Sequence, residues 1–431
     1  MPKKPSAGDK VRIHYKDEKI KGVLMPEEEE YFYVKMDSGY NIGLKKKDVK
    51  KVDVLKKKKD LKQKKSKVKK DDSLPTISIL HTGGTIASKV DYETGAVIAK
   101  FTESEIISMF PELSEMANIN SRLVRNMQSE MIRFPHYNLL AKEIKKEAEK
   151  GVDGIIVTQG TDTLHYTSAA LSFVLENIGI PVMVVGSQRS SDRGSTDSAY
   201  NLIAAVKFMA EKDFSGVAIC MHAGTGDDIC NILPACKTRK MHTSRRDAFR
   251  PINSKPIATI NLEKEDVEIL SEYDKKDKDK KIKLRLFDEK IKVGLLKPHP
   301  HMFASEIEQY KDFDGLVIEL FGIGHLPTMK VDEFTEENAK IYQSVKKLAN
   351  NIPVVGTSQT IYGRVDMNVY SPGRQLIEAG IMGNYTDMTP ETAFIKLAWL
   401  LSNHKKDVEN LIAKNLRGEI SKRSEKKNYL I

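Results

Sequence analysis

The sequence has few of the residues that disulfide-rich, metal-binding and membrane-spanning proteins need. Its 431 residues include only three cysteines, Cys220, Cys230 and Cys236, and none of them forms a CxxC pair. This odd number and spacing argue against a disulfide framework and against a zinc site, so we expect buried thiols. No apolar run approaches about 18 residues, and the first residues lead into no apolar segment. We therefore expect no transmembrane helix, no signal peptide, no contact with a membrane, and a soluble cytoplasmic protein.

The excess of positive charge lies at one end of the chain. Residues 1–73 contain 23 Lys and Arg against 13 Asp and Glu. The chain totals are 70 and 60, which leaves 47 of each for residues 74–431. The whole net charge of +10 therefore belongs to the N-terminal segment. Basicity bears on the partners of that segment and not on those of the remaining chain.

Residues 1–55 have the pattern of a small β domain. Apolar and polar residues alternate in four short segments between residues 10 and 44, and Asp37-Ser38-Gly39 is typical of a turn. Short strands over about 50 residues predict an SH3-like β-barrel. Residues 56–73 follow as a linker, because ten of the fifteen residues from Lys56 to Lys70 are lysine and cannot form a core. We interpret this linker as a solvated tether, with a phosphate-contacting arm for RNA as the alternative.

From residue 74 onward the pattern is that of an α/β protein. Short apolar runs alternate with stretches of helical spacing, which predicts doubly wound parallel sheets. We expect two lobes, at 74–262 and 289–431, joined by a charged connection at 263–288. The second lobe ends in a helical tail. The predicted strands are Ile77–Leu80, Gly154–Thr158, Pro181–Gly186, Val217–Met221, Val293–Leu296, Leu316–Leu320 and Pro353–Gly356.

Four polar segments follow predicted strands or lie in the loops between them: Thr82–Ile86, Gln159–Thr163, Gly186–Asp192 and Lys240–Phe249. Ligands of open α/β sheets bind at the carboxyl ends of strands. Glycines let the backbone turn sharply, and a threonine beside an aspartate can carry a proton and orient a cation. Taken singly, each segment fits a tight turn, a helix cap or a solvated lysine equally well. The GxxxxGK[ST] and GxGxxG spacings of phosphate loops are absent from the first segment.

Taken together, these segments resemble the bacterial-type L-asparaginase family from about residue 76 to residue 400. The resemblance is carried by Thr82-Gly83-Gly84-Thr85-Ile86-Ala87, by Gly160-Thr161-Asp162-Thr163, by Val184-Val185-Gly186 followed by Arg189, and by Lys240 nine residues before Phe249. It implies an asparaginase-like fold of two lobes. It also implies an amidohydrolase that releases ammonia from the side-chain amide of a free amino acid.

The resemblance further implies roles for individual residues. Thr85 would be the nucleophile, and Tyr92 would lie on a mobile lid and hydrogen-bond to it. Thr161, Asp162 and Lys240 would form a second, proton-transferring group. Asp162 would also bind the α-ammonium group of the substrate. Such a group supplies proton transfer without a histidine.

Three further residues fall where the family binds the α-carboxylate and α-ammonium groups of its substrate. They are Gln128, Ser129 and Glu130, and Gln128 stands where a serine is usual. No metal ion or organic cofactor is expected in this chain. We interpret the histidines, including His165 and His242, as structural.

The N-terminal segment extends the resemblance to essentially the whole chain. Val23–Pro26, Asp37–Gly43 and Lys240–Phe249 resemble the D-type subunit family of archaeal glutamyl-tRNA(Gln) amidotransferases. This implies a homodimer flanked by the E-type amidotransferase subunit in a heterotetramer. The chain would hydrolyse glutamine or asparagine, and the E-type subunit, with ATP and Mg, would use the ammonia to convert Glu-tRNA(Gln) into Gln-tRNA(Gln). The alternatives are a stand-alone L-asparaginase and a non-catalytic scaffold that binds RNA or protein.

Overall fold

The computed structural model describes residues 5–6, 8–25, 30–36, 41–57, 70–84, 86, 89–90, 97–98, 106–107, 110–189 and 196–429. Five antiparallel strands near the N-terminus form a sheet in the order β4-β3-β2-β1-β5. We refer to residues 8–57 as the β domain. Its strands are β1 Lys10–Tyr15, β2 Glu18–Leu24, β3 Tyr31–Lys35, β4 Asn41–Lys45 and β5 Val49–Lys56.

Alternation places one face of the β domain in its core. Val11, Ile13, Leu24, Val34 and Leu44 are almost completely buried there, and the residues between them point the other way. The fifth strand was not predicted. Its sequence, VKKVDVLK, alternates only in its centre, and its pairing with β1 is irregular at two points.

The first lobe is built on an eight-stranded sheet in the order β18-β17-β14-β13-β12-β10-β6-β9. The strands from β9 to β13 are parallel, whereas β14, β17 and β18 are antiparallel to their neighbours. The strands are β6 Thr76–His81, β7 Lys89–Val90, β8 Val97–Ile98, β9 Asn118–Leu123, β10 Gly154–Thr158, β11 Leu175–Glu176, β12 Pro181–Val185, β13 Gly216–His222, β14 Ile229–Pro234, β15 Thr238–Lys240, β16 Phe249–Pro251, β17 Ala258–Asn261, β18 Asp266–Ile269 and β19 Lys283–Leu284.

Helices cover both faces of this sheet, which is why its central strands are apolar throughout. In β10, Ile155 and Val157 belong to the core on one side of the sheet and Ile156 to the core on the other. The helices of this lobe are α1 Leu113–Met116, α2 Phe134–Glu149, α3 Leu164–Val174 and α4 Ser198–Glu211.

The second lobe has a parallel three-stranded sheet in the order β20-β21-β22. Its strands are β20 Val293–Leu296, β21 Gly315–Leu320 and β22 Val354–Ser358. Its helices are α5 Ser305–Glu308, α6 Glu336–Ala349, α7 Ser371–Glu378, α8 Pro390–Asn403 and α9 Val408–Ile412. Helix α8 packs against α3 of the first lobe and against β21 of the second. The two lobes therefore share one apolar core, which includes Val157, Val317 and Leu397.

The predicted fold class, two α/β lobes preceded by a small β domain, is confirmed. The seven predicted strands of the lobes are present, but the antiparallel strands β14, β17 and β18 were not foreseen. Residues 266–269 form an edge strand of the main sheet, and the proposed segment boundaries stay predictions. The three cysteines are buried and unpaired. None of the described helices combines the length and the apolar character that crossing a membrane requires.

Candidate active site

The turn after β6 lies against two other backbone segments. Gly83 and Gly84 have φ angles of +108° and +82°, which favour glycine. A Cβ atom on Gly83 would lie 2.4 Å from the carbonyl oxygen of Met127, and one on Gly84 would lie 2.4 Å from the amide nitrogen of Gly160. Only glycines allow this approach, which brings the turn into contact with both the 127–130 segment and the turn after β10.

These turns meet where the strand order reverses. Along the chain, β6 is followed by β9 on one side of it and by β10 on the other. Open α/β sheets bind ligands in the crevice outside the carboxyl ends of strands at such a point. Further hydrogen bonds fix the crevice: Thr82 donates its amide and its hydroxyl to the carbonyl oxygen of Thr158, at 3.0 and 2.9 Å, and Met127 donates its amide to the carbonyl oxygen of Thr82 at 3.0 Å.

Three of the predicted site residues meet after β10. The ammonium group of Lys240 donates to Oγ1 of Thr161 at 2.8 Å and to Oδ1 of Asp162 at 2.7 Å. The Lys240 side chain is only 10% exposed, whereas that of Asp162 is 66% exposed. The carboxylate of Asp162 therefore holds the lysine with one oxygen and remains accessible to a second cation from solvent.

The loop after β12 approaches Thr161 from another side. The hydroxyl of Thr161 lies 3.4 Å from Oε1 of Gln188, to which it can donate. The amide of Gln188 donates to the fully buried carboxylate of Asp197 at 3.0 Å, and the amide of Arg189 donates to the same carboxylate at 2.9 Å. Asp197 directly precedes α4, so the start of that helix holds the loop beside Thr161.

Lys240 is carried by a short hairpin of β15 and β16 and not by the loop that the sequence predicted. Lys240 pairs with the fully buried Phe249 across this hairpin, and Met241 donates its amide to the carbonyl oxygen of Ala248 at 2.7 Å. A paired strand with a buried neighbour restricts the lysine far more than a surface loop would.

Two ion pairs attach the hairpin to the second lobe. The charge of Lys237 pairs with Oδ2 of Asp387 at 2.7 Å, and its ammonium group donates to the main-chain oxygen of Asp387 at 3.2 Å. Both side chains are almost completely buried. Arg239 pairs with Oε1 of Glu391, near the start of α8, at 3.0 Å. Residues 237, 239 and 240 thus connect the segment that precedes and begins α8 to the turn after β10.

The histidines nearest the site are held neutral. Burial lowers the pKa of His165 to about 3, and the charges of Arg239 and Lys240 act in the same direction. Burial lowers the pKa of His81 to about 4. Neutral imidazoles agree with the interpretation of both residues as structural. Within the described ranges, no group of three or more His, Cys, Asp or Glu side chains is placed to hold a metal ion.

The remaining predicted residues are placed unequally. Thr85 and Tyr92 lie outside the described residues. Ser129 is buried, its carbonyl oxygen accepts a hydrogen bond of 2.6 Å from the hydroxyl of Thr163, and its Oγ lies 3.0 Å from the position of a Cβ atom on Gly160. Gln128 and Glu130 flank Ser129 and are exposed.

Sequence reasoning gave no role to Gln188, Lys237, Arg239, Asp387 or Glu391. Gln188 stands within a segment that the sequence did single out, so its position after a predicted strand was the available signal. The two ion pairs join residues about 150 positions apart, and no local pattern indicates such pairs.

Family models cover most of the chain. Residues 76–275 match the model described as Asparaginase, N-terminal, and residues 292–412 match that of the Glutaminase/Asparaginase C-terminal domain. Residues 6–55 match the model described as GatD N-terminal domain.

Individual proteins are similar over still longer stretches. Proteins named as the D-type subunit of glutamyl-tRNA(Gln) amidotransferase, from Methanococcus maripaludis and Pyrococcus abyssi, are each 40% identical to this chain. The matches cover 96% of this chain and 98% of the first relative, and 99% of this chain and 97% of the second.

Solved structures resemble the two lobes. The thermostable L-asparaginase from Thermococcus kodakarensis has a TM-score of 0.68 and 28% identity, over 81% of this chain and 100% of its own. L-asparaginase I from Vibrio cholerae has a TM-score of 0.69 and 27% identity, over 81% of this chain and 99% of its own. The prediction of asparaginase-like lobes is confirmed.

Proposed function

Because the chain belongs to the D-type subunit family of glutamyl-tRNA(Gln) amidotransferases, we propose that it hydrolyses the side-chain amide of glutamine, or of asparagine, and releases ammonia for its partner. The partner, the E-type subunit, would use ATP and Mg to convert Glu-tRNA(Gln) into Gln-tRNA(Gln) with that ammonia. The observation that carries the proposal is the contact of the buried Lys240 with Thr161 and Asp162, in a chain that matches its relatives over nearly its whole length.

Thr85 is the proposed nucleophile. Its hydroxyl oxygen attacks the amide carbonyl carbon, and its proton passes to the amide nitrogen, so that ammonia leaves and an ester forms. Water then attacks the ester, the acid product departs, and the hydroxyl of Thr85 regains a proton. A threonine hydroxyl is a weak nucleophile and needs a proton-transferring group within hydrogen-bond reach.

Thr161 and Lys240 are the proposed proton-transferring group. Their hydrogen bond of 2.8 Å supports this role, as does the low exposure of Lys240. The turn that ends at Gly84, the residue before Thr85, lies against the amide nitrogen of Gly160, the residue before Thr161. The chain therefore brings the backbone before the nucleophile to the backbone before the relay.

Substrate orientation is the proposed role of the exposed carboxylate of Asp162. It would bind the α-ammonium group of the amino acid with the oxygen that Lys240 leaves accessible. Gln128, Ser129 and Glu130 form the proposed neighbouring surface for the α-carboxylate and α-ammonium groups. Tyr92 is the proposed lid residue that excludes water and contacts Thr85.

The β domain distinguishes this proposal from that of a stand-alone asparaginase. The L-asparaginase structures cover 81% of this chain, whereas the D-type relatives cover 96% or more of it. A homodimer flanked by two copies of the E-type subunit is the proposed assembly.

Replacement of Thr85 tests the chemistry most directly. We expect the Thr85→Ala variant to lose ammonia release from both amides and the Thr85→Ser variant to retain part of it, because serine keeps the hydroxyl. The matched control is Thr259→Ala on β17, separated from β10 in the sheet by three strands. Ammonia release by Thr85→Ala at the parent rate would overturn the assignment of the nucleophile.

A further inference from the structure

The outer side of the β domain carries a surface of cationic residues in register on four strands. Opposite residues form three rows across the sheet: Lys35, Val23, Lys10 and Lys56 in the first, Lys21, Arg12 and Asp53 in the second, and Lys19, His14 and Lys51 in the third. The basic face, as we name it, consists of the seven lysines and arginines of these rows, namely Lys10, Arg12, Lys19, Lys21, Lys35, Lys51 and Lys56.

The pleat of the strands separates this face from the core. Val11 and Ile13 alternate with the rows along β1 and are fully buried, whereas Lys19, Lys21 and Lys51 are exposed. Neighbouring rows are about 7 Å apart along a strand and neighbouring strands about 5 Å apart, so an extended polyanion can contact several of these cations at once.

Negative charge on this face is small and already paired. Asp53 is the one carboxylate in the three rows of described residues. It accepts a hydrogen bond from the imidazole of His14 at 2.8 Å, and Lys51 pairs with it at 2.7 Å. Lys51, through its hydrogen bond and its charge, and His14 hold the pKa of Asp53 below its usual range. The remaining cations therefore dominate the local potential.

We propose that the basic face binds the phosphate backbone of an RNA, which in the setting of the proposed function is the tRNA substrate of the complex. Phosphates that pair with lysine and arginine release condensed counterions, and this release favours binding of a cationic surface without sequence preference. The inference rests on the proposed function for the identity of the RNA and not for the existence of the surface.

A protein partner fits this face less well than RNA. Centres of protein interfaces are apolar and contain few lysines, whereas nucleic-acid interfaces are polar and strongly positive. The one apolar residue of the three rows, Val23, is half-buried, and five of the seven cations are exposed lysines. The face has no apolar centre around which a protein interface could form.

Charge removal from the basic face, measured against charge removal elsewhere, tests the proposal. The variant is Lys19→Gln, Lys21→Gln and Lys51→Gln together, and its control removes three exposed lysines of the second lobe as Lys311→Gln, Lys346→Gln and Lys347→Gln. We would measure the dissociation constant of fluorescently labelled tRNA(Gln) for the full chain between 50 and 300 mM KCl. We expect about tenfold weaker binding at 100 mM and a salt slope lower by two to three, since each phosphate contact contributes about one.

Two outcomes would overturn the proposal. One is an unchanged affinity and salt slope in the variant, or an equal loss in the control. The other is intact tRNA binding with loss of assembly with the E-type subunit in size-exclusion chromatography, which would assign the face to a protein. Ammonia release from glutamine without RNA is measured in parallel and should be the same in all three proteins. Its absence from the parent chain would count against the proposed function and not against the basic face.

Discussion

The two lobes and the β domain use cationic side chains in opposite ways. In the lobes, Lys237, Lys240 and Lys396 are 10% exposed or less, and each pairs with one carboxylate at 2.6–2.7 Å. In the β domain, the cations of the basic face are mostly exposed, and its three rows contain one carboxylate.

The difference teaches what each kind of charge can do. A buried ammonium group must have a partner because removal from water is costly, and its position is then fixed to within the length of a hydrogen bond. Exposed lysines retain their hydration and their mobility, so they attract anions over a longer range and lose that effect as salt rises. The first kind suits proton transfer, and the second suits binding of a polyanion.

Removal of the amine of Lys240 should have the largest effect on activity. We expect Lys240→Met to lower the kcat of ammonia release by about 10²–10⁴, the usual contribution of a positioned proton-transferring group. The matched control is Lys142→Met, which removes an exposed lysine from α2. Activity within twofold of the parent in Lys240→Met would show that the buried contact with Thr161 is structural only.

Disruption of the Lys237–Asp387 pair should have the largest effect on stability. We expect Lys237→Met to lower the free energy of unfolding by about 3–5 kcal/mol, because a buried carboxylate is left without its partner. The double variant Lys237→Met with Asp387→Leu should recover most of this loss. Denaturant unfolding can be followed by the fluorescence of Trp399, the single tryptophan, which is buried in α8.

The control for that pair is an exposed one. Lys340→Met removes the partner of Glu337 on the surface of α6 and should leave the unfolding midpoint unchanged. Equal losses in Lys237→Met and Lys340→Met would contradict the contrast between buried and exposed cations.

Burial of His165 should appear in the pH dependence of stability. Its pKa is about 3 in the folded chain, below the unfolded value of about 6.5. The unfolded chain therefore binds the extra proton between these values, so the contribution is complete above about pH 6.5 and is lost as pH falls toward 3. We expect His165→Leu to lose about 2 kcal/mol less than the parent between pH 7 and 4.5, measured by Trp399 fluorescence. The exposed His301→Gln variant, as control, should follow the parent curve.

The smallest effect is expected from the basic face. The triple variant of Lys19, Lys21 and Lys51 should leave the unfolding midpoint reported by Trp399 unchanged, since these side chains are exposed and remote in sequence from the lobes. A clear fall in this midpoint would mean that the basic face supports the fold of the lobes and would weaken the contrast between the two regions.

Local patterns explain which parts of the fold could be predicted. Runs such as Gly154–Thr158 are apolar throughout because helices cover both faces of the sheet, and a double glycine after a strand marks a close turn. The strands β15 and β16 escaped prediction because each has three residues and their pairing spans a loop of several residues. Lys240 was consequently expected in a loop.

Long-range contacts explain what the sequence left out of the site. The position of Lys240 depends on Lys237 and Asp387, whose ion pair has no signature in the sequence. The motifs did indicate Thr161, Asp162 and Lys240, and the structure brings these three together. The roles of all the predicted site residues, including Thr85 and Tyr92, stay predictions.

The central claim is that this chain releases ammonia for a partner. The most direct measurement is ammonia release from glutamine and from asparagine, by the purified chain alone and then with the E-type subunit, glutamyl-tRNA(Gln) and ATP. We predict strong glutamine hydrolysis only in the complete mixture, and its loss in the Thr85→Ala variant. Equal and robust asparagine hydrolysis by the chain alone, unaffected by the other components, would contradict the account and indicate a stand-alone asparaginase.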